Sequence, residues 1–317
     1  MTTITENGTP SLENSGFHLT QMISLEVNRL LVDNANLRNS PFIHYAGSIN
    51  GMGTDTIRAR KYGLGGRDSF AAATAEDHDH SADSTAVSVG YADIGVARQY
   101  LIRSISDLAT MAGYGPDALN PVMLAADMAA SYENRFAVMS CTQAASLGTI
   151  KGSNAVDFTV DLLFNAIFGL ETADSNRGAD GPFCAVLHPK ALTDLQDSLR
   201  NETSNAVSMM TATEAMLQAK GKGFVGNLMG VEIYRSSHVT QGAGAFNNFF
   251  LSPGCLAYAD GVPQLLPNFT DAVNLGKVLV EMERAGSSAV TRIVGHAYLG
   301  FAILDDNRGL LAKCSIT

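Results

Sequence analysis

The sequence predicts an α+β fold, with a long β-hairpin and a long helix in its first half and mixed helices and strands in its second half. Three observations support this prediction. Polar and apolar residues alternate with a strand period at residues 54–62 and again at residues 85–100. Residues 117–140 carry an alanine-rich apolar face at helical spacing. From residue 182 onward, short strand and helix patterns follow one another.

The composition indicates a chain whose surface is partly covered by copies of itself. The 317 residues are 46% hydrophobic, enough for a sizeable core, and only 16% charged, which is below the usual quarter of a soluble domain. The formal net charge is -10, and no basic run is present. Because proteins bind nucleic acids mainly through Lys and Arg on phosphates, a direct reader of DNA or RNA is not expected.

The four cysteines are predicted to be small core residues of a reducing compartment. Cys141, Cys184, Cys255 and Cys314 form no C-x-x-C pair, so neither a zinc site nor a redox motif is indicated. The first residues are polar, unlike a signal peptide, and no stretch reaches the ~20 apolar residues of a membrane span. The sequence therefore predicts a soluble protein of the cytoplasm that does not bind a membrane.

Residues 1–40 are predicted to form an N-terminal arm that includes one amphipathic helix. Apolar side chains recur at helical spacing within residues 18–37, and Pro41 follows them. Such an apolar stripe needs a partner surface, either in its own chain or in a neighbouring one. The stripe consists of Leu19, Met22, Ile23, Val27, Leu30, Leu31 and Leu37.

The two alternating segments predict a hairpin, joined by residues 63–84, which show no periodicity. In the second strand the apolar parity slips between Tyr91 and Ile94, which predicts a β-bulge. An isolated two-stranded hairpin is only marginally stable in water, and a loop this long usually has a function or is disordered. We therefore expect the hairpin to rest on another surface, and a neighbouring subunit is the natural candidate.

The helix predicted at residues 117–140 is roughly five or six turns long at 3.6 residues per turn. Asn120 suits its N-cap and Pro121 its first turn. The small alanines would allow close packing against a sheet or another helix. Its predicted packing face consists of Val122, Ala125, Ala126, Ala129, Tyr132, Phe136 and Met139.

The second half of the chain reads as shorter helices and strands in alternation. Helices are predicted at residues 156–170, 190–202 and 212–220, a loop at 173–181, and strands at 182–189, 223–239, 247–261 and in pairs between 273 and 300. The turn-rich residues 305–309, DDNRG, precede a last strand.

The chemistry-bearing motifs are sparse. Residues 76–83, EDHDHSAD, place Asp77, His78, Asp79 and His80 together, but a solvated loop tip explains them better than a metal site because nothing nearby would make them converge. No phosphate-binding glycine loop, dinucleotide fingerprint or nucleophile elbow is present. The sequence therefore predicts no catalytic residue, no cofactor site and no metal site.

The cations are the better candidates for contacts with other molecules. Arg58, Arg60, Lys61 and Arg67 cluster on the first hairpin strand and its loop, in a chain that is net acidic. They could simply keep a strand edge solvated, since Lys and Arg discourage edge-to-edge aggregation. Alternatively, they contact acidic groups of an adjacent subunit, which would set the register of the interface more than its affinity.

The order of these elements resembles the major capsid protein of tailed bacteriophages, the Hong Kong 97-like fold that encapsulin shells also use. Three phrases carry the resemblance, in the family's order. FCAVLHPKALTDLQDSL, residues 183–199, is similar to the strand and helix that open the family's axial (A) domain. GNLMGVEIYRSSHV, residues 226–239, is similar to its recurring G-x-L-x-G-x-x-V strand. Residues 283–315 are similar to its closing strands.

This resemblance implies a division of the chain into five parts. They are an N-terminal arm (1–40), an extended hairpin loop called the E-loop (41–103), a peripheral (P) domain with a long spine helix (104–181), the A domain (182–270) and C-terminal strands that return to the P and A domains (271–317). Gly226 and Gly230 would flank a backbone bend in the A domain. A phosphate-binding role is not expected there, because a strand pattern follows the glycines instead of a helix N-terminus.

The resemblance also implies a structural role without catalysis. Many copies would assemble into hexamers and pentamers of an icosahedral shell that encloses the double-stranded DNA genome of a tailed phage, and the protein would be found in the virion after assembly in the host cytoplasm. Scaffolding and portal proteins would be its partners, and packaged DNA would be held without sequence-specific contact. The chain starts close to the arm, so either a separate scaffolding protein or a removed leader is expected.

Three alternatives stay open at this point. An encapsulin-like compartment shell would share the fold but enclose a cargo enzyme. A metal-dependent α/β enzyme would use His78 and His80. A decoration or tail-tube protein of a phage is disfavoured by the chain length and the long helix.

Overall fold

The computed structural model describes eleven segments of the chain: residues 22–27, 29–30, 42–63, 88–109, 111–112, 121–172, 183–201, 210–211, 223–262, 272–274 and 277–316. The predicted loop at 173–181, the helix predicted at 212–220 and the polar cluster at 76–83 lie outside these residues. The α+β class is confirmed by three β-sheets and several helices.

The strands are numbered in chain order. They are β1 (Ile43–Ser48), β2 (Thr56–Gly63), β3 (Ser88–Gly95), β4 (Ala97–Ser106), β5 (Ile150–Gly152), β6 (Phe183–Leu187), β7 (Met210–Thr211), β8 (Phe224–Leu228), β9 (Val231–Arg235), β10 (Gln241–Gly242), β11 (Ala245–Leu251), β12 (Leu256–Gly261), β13 (Ala272–Asn274), β14 (Leu279–Ala285), β15 (Val290–Ile303) and β16 (Gly309–Ser315). The helices are α1 (residues 22–27 and 29–30), α2 (Asp107–Ala109), α3 (Pro121–Ala144), α4 (Val160–Glu171) and α5 (Pro189–Asn201).

The six-stranded sheet is organised around β15, its longest strand. The first half of β15 pairs with β14 and the second half with β12, both antiparallel and along the same edge. β4 pairs along the opposite edge, from Leu299↔Ala97 to Val290↔Ser106. β1 extends the sheet by parallel pairing with β12, and β13 extends it beyond β14. The sheet therefore collects strands from distant parts of the chain.

The eight-stranded sheet has the order β5-β16-β11-β6-β9-β8-β7, with β10 beside β11. β6 lies between β11 and β9, and all five of its residues are buried. Its continuous apolar sequence FCAVL fits a strand that is covered on both faces. The chain leaves this sheet after β11, forms β12 to β15 in the six-stranded sheet, and returns with β16.

α3 is the long helix that the sequence predicts, and Pro121 is its first residue, as expected. It packs on the six-stranded sheet, where the ring of Phe136 makes edge contacts with Tyr258 and Phe301 at centroid distances of 5.1 and 4.8 Å. The predicted packing face of this helix is wrong at two positions. Val122 and Ala126 are exposed, because the first turns of α3 present Leu124, Ala125 and Met128 to the core instead.

α4 and α5 belong to the core that covers the eight-stranded sheet. Thr159 caps α4, and its side-chain oxygen accepts a hydrogen bond from the Leu162 amide. The ring of Phe158 lies parallel to that of Phe250 in β11, with a centroid distance of 6.4 Å. In α5, Leu195 is fully buried. One hydrophobic cluster joins these helices, α3 and both large sheets.

The hairpin predicted around residues 54–100 is present as β2 and β3. The two strands pair antiparallel from Thr56↔Gly95 to Gly63↔Ser88 without a register shift, so the predicted bulge is wrong. The apolar side chains change from odd to even positions because the strand has two different faces. Tyr91 lies on the exposed face and Ile94 on the buried face. At Val96 the chain leaves the hairpin and begins β4 in the six-stranded sheet.

All four cysteines are buried and free, as the sequence predicts. Within the residues described, no helix is long and apolar enough to cross a lipid bilayer.

Candidate assembly surface

The outward face of the β2–β3 hairpin carries the first of the predicted contact residues, Arg58. Its cross-strand neighbour is Asp93, and the guanidinium donates two hydrogen bonds to that carboxylate, at 2.8 Å from Nε and 3.2 Å from Nη2. The pair lowers the pKa of Asp93 through this hydrogen bond, and the guanidinium also lies 5.5 Å from the ring centre of Tyr91. Arg58 thus has partners in its own chain.

Arg60 follows on the same face, directly opposite Tyr91, and its side chain is exposed. Unlike Arg58, it has no ion-pair partner among the residues that the structure describes. Lys61 is also in β2, where its backbone is opposite Gly90. Arg67 lies outside the described residues. The structure therefore places Arg58, Arg60 and Lys61 on one strand, and a contact of these cations with an adjacent subunit stays a prediction.

The inward face of the same hairpin is packed on its own chain. Ile57 and Ile94, which pair across the two strands, are 6% and 0% exposed and contact Ala257 and Ala259 of β12. The inward face of this root therefore rests on its own chain, and a contact of the hairpin with a neighbouring subunit stays a prediction. Small residues in β12 leave room for the isoleucines, and the hairpin's outward face remains accessible.

The junction between β3 and β4 lies against β15 at a glycine. A Cβ atom at Gly300 would lie 2.3 Å from the carbonyl oxygen of Gly95 and 3.1 Å from Cα of Val96. Real Cβ atoms do not approach backbone this closely, so only glycine fits at this position. The contact attaches the root of the hairpin to the central strand of the six-stranded sheet.

Gly226 and Gly230 lie in the eight-stranded sheet. The stretch around them is two strands, β8 and β9, and not the single strand that the sequence predicts. Gly230 (φ 84°) and Met229 (φ 54°) form the two-residue turn between them, a geometry that favours glycine. Gly226 lies in β8 where the register with β9 shifts. Their predicted role in a bend of an A domain is not tested by this geometry.

A buried carboxylate, which sequence reasoning missed, fastens the end of β12. Asp260 is 3% exposed, accepts a hydrogen bond from the Tyr45 hydroxyl at 2.7 Å, and lies 2.8 Å from the Lys277 ammonium. Burial and this carboxylate raise the pKa of Tyr45 well above its ordinary range. The three residues join β1, β12 and the segment before β14. No local pattern could have revealed them, because Tyr45 and Asp260 are 215 residues apart.

α4 carries exposed aromatic side chains that sequence reasoning also missed. Phe164 and Phe168 are 37% and 62% exposed, although Leu163 and Leu170 on the opposite face are buried. Positions four residues apart lie on the same side of a helix, so the two rings form one strip. A signal was available in the sequence, because a helix that is apolar all round is normally covered on every side.

In the part of the chain that the structure describes, no group of three or more His, Cys, Asp or Glu side chains is close enough to hold a metal ion. His188 has a structural position: its ring stacks on Phe246 at 3.7 Å, its Nδ1 accepts a hydrogen bond from the Lys190 amide, and burial lowers its pKa. The predicted polar cluster at His78 and His80 is outside the described residues.

Comparison with known proteins is informative only at the level of structure. No protein-family model matches the chain, and no curated protein matches it. The capsid of Ralstonia phage GP4 is similar with a TM-score of 0.59 and 10% identity, covering 90% of this chain and 90% of that chain. The capsid of a native GTA particle is similar with a TM-score of 0.57 and 10% identity, covering 99% and 94%.

An encapsulin is similar to nearly the same extent. The holo-SrpI encapsulin complex of Synechococcus elongatus PCC 7942 gives a TM-score of 0.54 at 12% identity, covering 87% of this chain and 86% of that chain. The order of hairpin, long helix, two sheets and returning last strand agrees with the fold of these neighbours. The chain has the Hong Kong 97-like fold of tailed-phage capsid proteins and encapsulins.

Proposed function

We propose that this protein is the major capsid protein of a tailed phage, which self-assembles into an icosahedral shell around double-stranded DNA. The observation that carries the proposal is the fold, since structural neighbours that match most of their own length are capsids. The role is mechanical and not enzymatic. Many modest contacts, repeated over the shell, would resist the pressure of the packaged genome.

The net negative charge of the chain supports a shell whose inner wall does not bind the packaged DNA tightly. A net charge of -10 gives an overall repulsive field toward phosphates, so DNA entering the shell would not be trapped on its wall. We propose that scaffolding and portal proteins guide assembly, which takes place in the host cytoplasm, and that the finished protein is part of the virion.

The hairpin supports an assignment of segments of this chain to the named parts of a capsid protein. In the proposal, β2 and β3 belong to the E-loop within residues 41–103, α3 is the spine helix of a P domain within 104–181, and residues 182–270 form the A domain. Residues 271–317 would be the C-terminal strands that return to both. The six-stranded sheet draws β1 from residues 41–103, β12 from residues 182–270 and β13 to β15 from residues 271–317, so the boundaries describe chain order and not separate cores.

An encapsulin-like compartment shell is the second candidate, because the encapsulin matches this chain almost as well as the capsids do. The two candidates share the shell and differ in its contents. A phage capsid would take up DNA with its packaging machinery, whereas a compartment shell would hold a protein cargo.

Size-exclusion chromatography and negative-stain electron microscopy of the purified full chain test the proposal. Closed shells of uniform diameter, or free hexamers and pentamers, are the expected result. Shells purified from the native source should contain nuclease-protected DNA, and a co-purifying enzyme without DNA would favour the compartment. A monomer or dimer under all conditions, with and without the co-expressed scaffolding protein, would exclude both shells.

A further inference from the structure

We propose that a cleft between α3 and the six-stranded sheet binds an aliphatic carboxylate of medium chain length. The cleft is a space of about 390 Å³ between α3 and strands β4 and β15, and we call it the α3–β4 cleft. This site is separate from the proposed shell function and does not depend on it. The residues that line the cleft include Gln99, Leu101, Met128, Ser131, Arg135 and Ala297.

The floor of the α3–β4 cleft is the face of β4 and β15 that points toward α3. A Cβ atom at Gly295 would lie 3.3 Å from the Met128 sulfur, so this position of β15 faces the helix. Ala297 is two residues further along the strand and therefore lies on the same face. Gln99 and Leu101 of β4 pair with Ala297 and Gly295, and opposed residues share a face of a sheet.

Small residues explain why the helix and the sheet do not close this space. Gly295 and Ala297 lie on the floor, and Ser131 lines the cleft from the side of α3. The interior is largely apolar and shielded from water, because Met128 is 3% exposed and Leu299 is fully buried. A volume of about 390 Å³ is at the small end of the range for ligand pockets. The cleft therefore has room for a short hydrocarbon chain and not for a large ligand.

Two polar contacts between α3 and β4 hold the helix in place over the cleft. Arg103 of β4 donates a hydrogen bond to the Asp127 carboxylate of α3. Arg135 of α3 donates one from Nε to the Gln99 Oε1 atom of β4, at 2.7 Å. Asp127 and Arg135 are separated by about 12 Å along a helix that rises 1.5 Å per residue. The position of α3 is thus fixed at two points, and the cleft does not depend on a ligand to stay open.

The charge of the lining favours an anion. Arg135 is exposed and has no ion-pair partner among the described residues. Its Nε is bonded to Gln99, whereas its two terminal nitrogens have no hydrogen-bond partner in the described part of the chain. Of the described residues that line the cleft, Arg98 and Arg135 are cations and none is Asp or Glu, in a chain with a net charge of -10. A carboxylate at Arg135 would therefore meet no competing acidic side chain of the lining.

These two properties define the class of ligand. A hydrocarbon chain would occupy the apolar interior, and removal of its surface from water would drive binding. Its carboxylate would accept two parallel hydrogen bonds from the terminal nitrogens of Arg135, the arrangement that a guanidinium forms with carboxylates. An alcohol of the same length would fill the interior equally well but would lack the charged contact.

Octanoate and 1-octanol, two probes of equal chain length, test the site by isothermal titration calorimetry on the full chain. Octanoate should bind more tightly than octanol and should raise the midpoint of thermal unfolding. Arg135→Gln should lower the affinity for octanoate about tenfold to a hundredfold, as for the loss of charged hydrogen bonds, and should leave the affinity for octanol unchanged. Arg200→Gln removes a 78% exposed cation of α5 and should leave both affinities at their wild-type values.

Two variants that fill the cleft from opposite walls provide a second test. Ser131→Leu places a larger side chain on the wall formed by α3, and Ala297→Leu places one on the floor. Each should abolish octanoate binding. Circular dichroism and the unfolding midpoint without ligand check that the variant is folded, and either folded variant is sufficient for the test.

Several results would overturn the proposal. Folded wild type that does not bind octanoate, or that binds octanol with equal affinity, would exclude the site, as would unchanged binding in a folded cleft-filling variant. Octanoate affinity that survives Arg135→Gln would exclude the role of the guanidinium. A leucine-ended peptide that displaces octanoate and binds more tightly would assign the cleft to the end of a polypeptide and not to a small molecule.

Discussion

Substitution of Gly300 by alanine tests how the hairpin is attached to the six-stranded sheet. The added Cβ would lie 2.3 Å from the Gly95 carbonyl oxygen and 2.9 Å from the Gly95 carbonyl carbon. Both atoms are backbone, so no side chain can rotate away. The β3–β4 junction has to move away from β15, and Ile94 would be withdrawn from its fully buried position on β12.

The cost follows from this geometry. Inserting a methyl group into a well-packed site that must shift its backbone costs about 1–3 kcal/mol of unfolding free energy. At roughly 3 °C per kcal/mol for a domain of a few hundred residues, the midpoint of thermal unfolding should fall by about 3–9 °C. Assembly should weaken as well, because a displaced root changes the direction of the outward hairpin face.

Two glycines of the same chain serve as matched controls. A Cβ at Gly95, on the other side of the same contact, meets nothing within 4 Å, and neither does one at Gly286. Thermal unfolding followed by circular dichroism should therefore show a lower midpoint for Gly300→Ala and near-wild-type midpoints for Gly95→Ala and Gly286→Ala. Because association shifts apparent stability, all variants are compared as the same oligomeric species. Equal midpoints for Gly300→Ala and wild type would refute the close approach.

Three further predictions concern buried and paired groups. Asp260→Ala leaves the Lys277 ammonium without its carboxylate and should lower the unfolding free energy by about 1–3 kcal/mol in urea titration, whereas the exposed Asp161→Ala should not. The Asp107 carboxylate accepts two hydrogen bonds from Arg284, which lower its pKa, so its stabilisation is present above the ordinary Asp pKa and is lost as the pH falls through the lowered value. The difference in midpoint between wild type and Asp107→Asn should therefore vanish in acid, and a difference that persists there would contradict the pairing. Burial raises the pKa of the Cys141 thiol to about 11, so a thiol reagent at neutral pH should label it only after denaturation, and rapid labelling of the folded protein would show that it is accessible.

The sequence predicted most element types and their order, because these depend on periodicity over a few residues. The alternation in β2, the helical spacing in α3 and the apolar run of β6 are local patterns, and the structure has each element where the pattern occurs. Local patterns also misled. The parity change near Tyr91 resembled a bulge, yet a strand with one face on β12 and one face outside produces the same change without any irregular pairing.

The candidate surface could be predicted only in part. The cluster of Arg58, Arg60 and Lys61 is visible in the sequence, but the partner of Arg58 is not, because Asp93 becomes its neighbour only through the register of the hairpin. The aromatic strip of α4 was missed because an apolar residue in a helix is normally assigned to the core. Only the packed structure shows that Phe168 is outside and Leu163 inside.

The sequence by itself determined the α+β class, the hairpin, the long helix and the free core cysteines, since each follows from composition or from neighbours along the chain. The tertiary structure alone decided which strands share a sheet, that the hairpin root rests on β12, and that Asp260 joins Tyr45 to Lys277. The physical reason is distance along the chain. A pairing between residues more than two hundred positions apart depends on how the whole core packs, and no short segment of sequence contains that information.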